Sequence, residues 1–432
     1  MKNKLRILIY LTVFWGCQEP TQQNNISESE LRQATVAIQE VKLALKADNG
    51  QLWNHSLDGP LLMVNRDTRS IIASENDNSG VLKRQGELFT GALPEEINIA
   101  NTATDWNGKR WTMVAMPLPE DKAERLNLLI HELFHRIQPA IGFDSLFEIQ
   151  SVHLDSKDGR ICLKLELEAL KKACLSEDPS PHLQNALLFR QYRYQLFPEA
   201  EKAENSLEIN EGLAEYTGAI LSGRTGSELK QHFADKIGDF YNNPTFVRSF
   251  AYYTIPVYGY FMQQTDKRWN LKINRSTNLT DFIGKFFQFT PKNIDYKDVK
   301  LAGESYGMDY IIEQETQRVL KHEALIKKYL ATFKGDSVVN ITLENMNIGF
   351  NPGNIMPLDT LGTVYPNLRI TDNWGILEVD SCGALISPGW NIVTISYPEG
   401  ISDTLITGKG WTLKLNSGWK LKKTDLGFRV IK

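Results

Sequence analysis

The chain has 432 residues, of which 48 are basic and 52 acidic, and its formal net charge at pH 7 is −4. This near balance gives no basic footprint, so nucleic acid is not expected as a partner. Hydrophobic residues make up 42% of the chain, as in ordinary globular proteins, and the length predicts two or three domains. The four cysteines are too few for a disulfide scaffold and form no C-x-x-C metal pair.

The N-terminus has the pattern of a signal peptide. Three basic residues within the first six precede an apolar run over residues 7–15, which Gly16 and Cys17 follow. The run is too short to cross a bilayer as a helix. The segment resembles a bacterial lipoprotein signal, in which Cys17 would be lipidated, although Phe14 stands where leucine is usual. Cleavage nearby without lipidation is the alternative.

Short β-prone segments follow. Residues 60–64 and 70–73 predict a hairpin around residues 65–67, and residues 97–100 predict a further strand. Another β-prone segment, residues 110–116, directly precedes a long helical pattern.

That helix is well delimited in sequence. Asp121 and Glu124 have the spacing of a capping box at its start, while Pro139 and Gly142 close it. We therefore expect a helix from about Lys122 to Gln138. Apolar residues before, within and after its central histidine motif predict that it is largely buried.

The motif is His131-Glu132-Leu133-Phe134-His135. With 3.6 residues per turn, His131 and His135 lie on one face of the helix, where both rings can reach a single zinc ion. Glu132, offset by about 100°, can face a metal-held water and act as a general base. The pattern predicts metal-dependent hydrolysis.

Chance explains this motif poorly, because about 0.014 occurrences are expected in a chain of this composition. The simpler alternative is a solvated helix face that happens to carry two histidines. The apolar flanks argue against it, since a buried histidine pair needs a reason to be there.

A second motif, Asn210-Glu211-Gly212 followed by Glu215, lies in a helical pattern over residues 206–222. Together the two motifs resemble the gluzincin metallopeptidases, in which such a helix supplies the third zinc ligand. The resemblance implies that Glu211 is this ligand and that Glu215 orients a ligating histidine. The alternative is that these glutamates form the wet face of a surface helix.

The resemblance covers the two motif helices and the strand before them. It implies that residues 110–116 form the edge strand of a sheet, where an extended peptide could bind. The interval between His135 and Glu211 is longer than the family pattern. It is rich in helix formers over residues 161–170 and 185–190, so we expect a helical insertion.

In the resembled enzymes a tyrosine or histidine from a later helix stabilises the oxyanion. Four tyrosines lie in residues 252–260, and we take Tyr253 or Tyr258 as the donor. Aromatic clusters are more often core than catalytic, so a structural role is the alternative for each. The other five histidines have no ligand-like spacing.

After Gly335 the helical patterns stop, and short β-prone pieces take over. Their spacing predicts a β-sandwich or barrel-like domain. The predicted strands cover residues 338–343, 368–371, 375–379, 392–396, 411–415, 419–422 and 428–431.

The expected fold is α+β: a gluzincin-like metallopeptidase domain with a helical insertion, followed by a small all-β domain. The expected segments are a signal peptide (1–17), a tether with an N-terminal helix (18–58), the metallopeptidase-like domain (59–335) and the β-rich domain (336–432). The expected function is hydrolysis of a peptide or protein substrate by one zinc ion, in a lipid-anchored protein of the bacterial envelope, on its periplasmic or surface face. The alternatives are a non-catalytic zinc-containing binding lipoprotein and a structural protein with incidental histidines.

Overall fold

The computed structural model describes residues 26–94, 97–144, 146–290, 293–334, 338–350, 355–424 and 427–432. The predicted signal peptide, with Cys17, lies outside the described residues. The described chain has a mixed α and β fold with a separate all-β C-terminal region. Its described residues divide into two compact units, one within residues 26–144 and 217–224 and the other within residues 146–216 and 225–432. Within the described residues, every helix is too short or too polar to span a bilayer.

The first unit contains an N-terminal helix, a mixed sheet and the motif helix. In chain order they are α1 (Glu28–Asp48), β1 (Leu61–Asn65), β2 (Ser70–Ala73), β3 (Lys83–Gln85), β4 (Leu88–Ala92), β5 (Thr102–Trp106), β6 (Lys109–Met116) and α2 (Lys122–Ile137). The strand order in the sheet is β3-β4-β2-β1-β6-β5, with β1 and β6 parallel. The predicted hairpin is confirmed by the antiparallel pairing of β1 with β2. The strand predicted at residues 97–100 is wrong, because the next strand begins at Thr102.

The predicted edge strand is also wrong. β6 lies between β1 and β5 in the sheet: residues 112–116 pair with β1 and residues 109–113 pair with β5. The reason is a tight turn at Asn107 and Gly108, both of which have positive φ (47° and 72°). Asn-Gly turns of this kind suit the twist of an antiparallel hairpin. The turn folds β5 back along β6 and makes β5 the edge of the sheet.

Helix α2 agrees with its prediction to within one residue. The Asp121 carboxylate accepts a hydrogen bond of 2.9 Å from the backbone N–H of Glu124 and caps the first turn. At the other end, a short 3₁₀ turn (Gln138–Ile141) contains Pro139 and stops at Gly142, which has a φ of 92°. Arg125 joins α2 to α1 through hydrogen bonds of 2.9 and 3.1 Å to the Glu40 carboxylate.

The second unit begins with the helices predicted between the two motifs. In chain order its helices are α3 (Lys157–Leu175), α4 (Ser180–Leu196), α5 (Ala200–Leu207), a π-helix (Glu208–Gly212), α6 (Leu213–Leu221), α7 (Gly226–Phe240), α8 (Ala251–Thr265), α9 (Leu279–Phe286), α10 (Tyr296–Glu304) and α11 (Met308–Phe333), with 3₁₀ turns at Val152–Asp155 and Trp269–Lys272. The last part of α6, from Thr217, belongs to the first unit. The helices predicted over residues 161–170 and 185–190 are confirmed by α3 and α4. Cys162 and Cys174 lie on α3 as free thiols.

The C-terminal region is a β-sandwich. Its strands are β7 (Val339–Thr342), β8 (Asn347–Phe350), β9 (Met356–Pro357), β10 (Thr363–Tyr365), β11 (Leu368–Asp372), β12 (Gly375–Val379), β13 (Ala384–Ile386), β14 (Ile392–Ile395), β15 (Pro398–Ile401), β16 (Leu405–Gly408), β17 (Trp411–Leu415), β18 (Lys420–Thr424) and β19 (Gly427–Ile431), with a 3₁₀ turn at Asp359–Leu361. The described strands form two sheets, ordered β18-β19-β7-β14-β13-β10-β9 and β15-β16-β17-β12-β11-β8. Ile341 and Ile395 of the first sheet share one core with Leu377 and Leu413 of the second. All seven predicted strands are present.

Within the first unit, the end of α6 approaches α2 almost to backbone contact. A Cβ atom on Gly218 would lie 2.5 Å from the carbonyl oxygen of Asn127, closer than real Cβ atoms come. The neighbouring Thr217 hydroxyl accepts a hydrogen bond of 2.9 Å from the Trp53 indole. The absence of a side chain at Gly218 therefore keeps these helices close.

We expect Gly218→Ala to destabilise the protein by about 1–3 kcal/mol, because the added methyl group must push two helices apart. Gly238→Ala on α7 is the matched control, since nothing lies within 4 Å of the position that its Cβ would take. It should stabilise the protein by about 0.5–1 kcal/mol through helix propensity. Urea unfolding measures both changes. Equal midpoints for the two variants would refute the close approach.

Candidate metal centre

The two motif histidines face each other from successive turns of α2. Their Nε2 atoms are 3.0 Å apart, and their ring centroids are 4.7 Å apart. His131 is buried and His135 is half-buried. For a zinc ion at 2.0–2.1 Å from each nitrogen, tetrahedral angles give a nitrogen separation of about 3.3 Å. The observed spacing is close to that value.

The tautomer of His135 follows from its second nitrogen. Its Nδ1 atom lies 2.8 Å from Oε1 of Gln138, an oxygen that can only accept. Nδ1 of a neutral His135 therefore carries the proton, and Nε2 keeps its lone pair. Metal-binding histidines usually have such an oxygen partner on the other nitrogen. Sequence reasoning missed Gln138, although its i+3 spacing from His135 on a helix was a usable signal.

The carboxylate of Glu211 lies in the π-helix and is held from both sides. Asn210 Nδ2 donates to its Oε1 at 3.1 Å, and the Tyr252 hydroxyl on α8 donates to its Oε2 at 2.5 Å. Asn210 also donates to Glu148 at 2.7 Å. Sequence reasoning missed the contacts of Asn210 and Tyr252.

His131, His135 and Glu211 each offer one ligand atom, and these atoms all lie within 4.8 Å of one another. Two imidazole nitrogens and one carboxylate oxygen are a donor set that suits zinc, and three protein ligands leave a coordination position open. The tautomer of His135 also fits a metal ligand. The residues present are thus compatible with one zinc ion.

Two other predicted site residues of the second unit, Glu215 and Tyr253, line one cavity. Its volume is about 190 Å³, and its lining residues are Glu215, His232, Phe233, Lys236, Tyr252, Tyr253 and Val257. Tyr253 stacks on Phe240 with ring centroids 4.3 Å apart. Burial, and then the charge of Glu215, raises the pKa of the Tyr253 phenol, which keeps it protonated. The role of Glu215 in orienting a histidine stays a prediction.

Tyr258 lies elsewhere. It is fully buried, and its hydroxyl donates to Oε1 of Glu166 on α3 at 3.1 Å. Burial and the nearby Glu166 charge raise the pKa of this phenol well above its ordinary value. Because its hydroxyl belongs to a buried ionic cluster, we do not retain Tyr258 as an oxyanion donor. Of the four tyrosines in the predicted segment, Tyr252 is the one whose described contacts reach Glu211.

The cluster around Tyr258 consists of fully buried charges from four helical elements. Arg190 Nε is 2.7 Å from Glu166, and its two Nη atoms are 2.6 and 3.0 Å from the oxygens of Glu208. Arg193 binds Glu204 through bonds of 2.7 and 2.6 Å and is 2.8 Å from Glu166. Such paired, bidentate contacts are what make buried charges tolerable.

Comparison of the chain with protein-family models, with curated proteins and with solved structures gives no match. The metallopeptidase resemblance is therefore carried by the two motifs alone.

The buried cluster predicts an acid-sensitive stability. Burial acts to raise the pKa of Glu204, but the Arg193 charge and hydrogen bonds from His153 and Arg193 outweigh it and lower the pKa from 4.5 to about 2. A lowered native pKa gives stability that is present above pH 4.5 and is lost as the pH falls towards 2. The shift corresponds to about 3 kcal/mol.

We therefore expect Glu204→Gln to be less stable than wild type at pH 7, with the difference shrinking between pH 4.5 and pH 2. Urea unfolding across this range measures it. Glu199→Gln is the control, because it removes an exposed carboxylate at the start of the same helix. A constant difference between Glu204→Gln and wild type at all pH values would contradict the assignment.

Proposed function

We propose that the protein is a zinc-dependent hydrolase of peptide bonds, with His131, His135 and Glu211 as the protein ligands. The observation that carries the proposal is the grouping of their three ligand atoms within 4.8 Å. The Gln138 contact on His135 and the two donors on Glu211 support it, because such outer contacts fix the direction of ligating side chains.

In this proposal, Glu132 acts as the base. It follows His131 directly on α2 and is buried, with 5% of its surface exposed. A bound zinc would lower the pKa of a coordinated water and polarise the scissile carbonyl. The Glu132 carboxylate would take the proton from the attacking water and later deliver it to the leaving amine. The nitrogen of the broken bond thus leaves as a neutral amine.

The proposed setting is the bacterial cell envelope. It rests on the sequence pattern that ends at Cys17, which would carry the lipid and anchor the protein to the membrane. Metabolic labelling with a radioactive fatty acid tests this part separately. Wild type should incorporate label and Cys17→Ala should not.

The catalytic part is tested with Glu132→Gln. We expect this variant to keep about one zinc per chain by elemental analysis, since no ligand is removed. Hydrolysis of a mixed peptide library should fall by at least about 100-fold, because a general base is lost. Glu124→Gln, in the first turn of the same helix, is the control and should retain activity.

Three outcomes of this experiment have different meanings. Full activity of Glu132→Gln would refute the role of Glu132. Zinc binding by wild type without peptide cleavage would favour the non-catalytic binding lipoprotein. Absence of metal from the wild-type protein would favour the third alternative, a structural protein whose histidines are incidental.

The neighbouring tyrosines of α8 give a matched pair. We expect Tyr252→Phe to lower zinc affinity about 10-fold or more, because it removes a donor from Glu211. Tyr253→Phe should leave zinc affinity unchanged, but it should lower kcat if this phenol donates to the oxyanion. Chelator competition measures affinity, and steady-state kinetics measures kcat. Equal affinity losses would contradict the specific role of Tyr252.

A further inference from the structure

We propose that Glu208 and Arg190 are positioning residues for Glu211, acting through the π-helix that carries both glutamates. The inference rests on the proposed function, because it takes Glu211 as a zinc ligand. It gives a reason for the placement of that ligand, in two residues that are not themselves proposed to bind zinc.

The π-helix is the first step of the argument. It spans Glu208–Gly212, and the backbone N–H of Leu213 donates to the carbonyl of Glu208, which is the wide i+5 turn. A π turn holds one more residue than an α turn, so it rotates the side chains within it relative to a regular helix. Such turns are rare and are frequent at functional sites. The direction of Glu211 therefore depends on this turn being kept.

Arg190 holds the first residue of the turn. Its guanidinium makes a bidentate contact with the Glu208 carboxylate, at 2.6 and 3.0 Å, and both side chains are fully buried. Its Nε atom is fixed in turn by Glu166 at 2.7 Å. A planar fork of this kind fixes orientation as well as distance. Buried ion pairs add little net stability over apolar packing, so a geometric role is the stronger reason for this one.

Two side chains of helix α8 also bind the carboxylates of this π turn. The Thr254 hydroxyl donates to Oε1 of Glu208 at 2.6 Å, and Tyr252, two residues earlier, donates to Glu211. In the same turn lies Gly212, whose Cβ would come within 2.8 Å of the Ile255 side chain. The two carboxylates of the turn are thus tied to one helix. Releasing Glu208 would let the turn relax and would move Glu211.

The test compares two buried glutamates that each pair with arginine. Glu208→Gln loosens the π-helix, whereas Glu315→Gln removes a carboxylate that binds Arg160 at 3.1 Å between α3 and α11. Both variants should lose thermal stability. Zinc affinity, measured by chelator competition, should fall about 10–100-fold in Glu208→Gln and stay within about two-fold of wild type in Glu315→Gln. The absorption spectrum of the cobalt-loaded protein should change only in Glu208→Gln.

If Glu208→Gln does not fold, Thr254→Val provides the same test with a smaller change. Thr394→Val is its control, because it removes a partly buried hydroxyl that donates to Asn340 at 2.8 Å in the sandwich. Zinc affinity that falls equally in the test and control variants, or in neither, overturns the positioning role while leaving the proposed function standing. Wild type without zinc affinity overturns the proposed function and this inference together.

Discussion

The candidate centre depends on one contact, the approach of two imidazole nitrogens to 3.0 Å on successive turns of α2. Two lone pairs at that distance repel each other unless a proton or a cation lies between them. The Gln138 contact places the His135 proton on the far nitrogen, which leaves the near one as an acceptor. The 3.0 Å separation suits a hydrogen bond donated by Nε2 of His131, and it equally suits a cation bound by both nitrogens, as in the proposed zinc site.

The two sides of the candidate centre are held by different kinds of force. On α2, the histidines sit among apolar residues such as Leu133 and Phe134, which are fully buried. Around the π-helix, by contrast, fully buried charges determine the packing, with Arg190 and Arg193 between three glutamates. Apolar packing tolerates small displacements, whereas bidentate ion pairs tolerate few. The buried ion pairs around the π-helix are therefore suited to fix the direction of the Glu211 carboxylate.

Local signals explain which parts were predictable. Asp121, Pro139 and Gly142 act within a few residues of the ends of α2, so its limits could be deduced from sequence alone. The sequence could not indicate whether Tyr252 or Tyr253 contacts Glu211. The rotation of α8 about its axis determines which tyrosine does so, and tertiary packing sets that rotation. The π turn could not be predicted, because its amino-acid composition does not differ from that of an α-helix. The edge strand was assigned by resemblance, although Asn107-Gly108 was a readable hairpin signal against it.

The β5–β6 hairpin determines where an extended peptide could add a strand to this edge of the sheet. On this side β5 occupies the place beside residues 109–113 of β6, so a peptide joining there by main-chain hydrogen bonds would pair with Thr102–Trp106. Adjacent strands are about 4.8 Å apart, so the newcomer would run one full strand width farther out than a direct neighbour of β6.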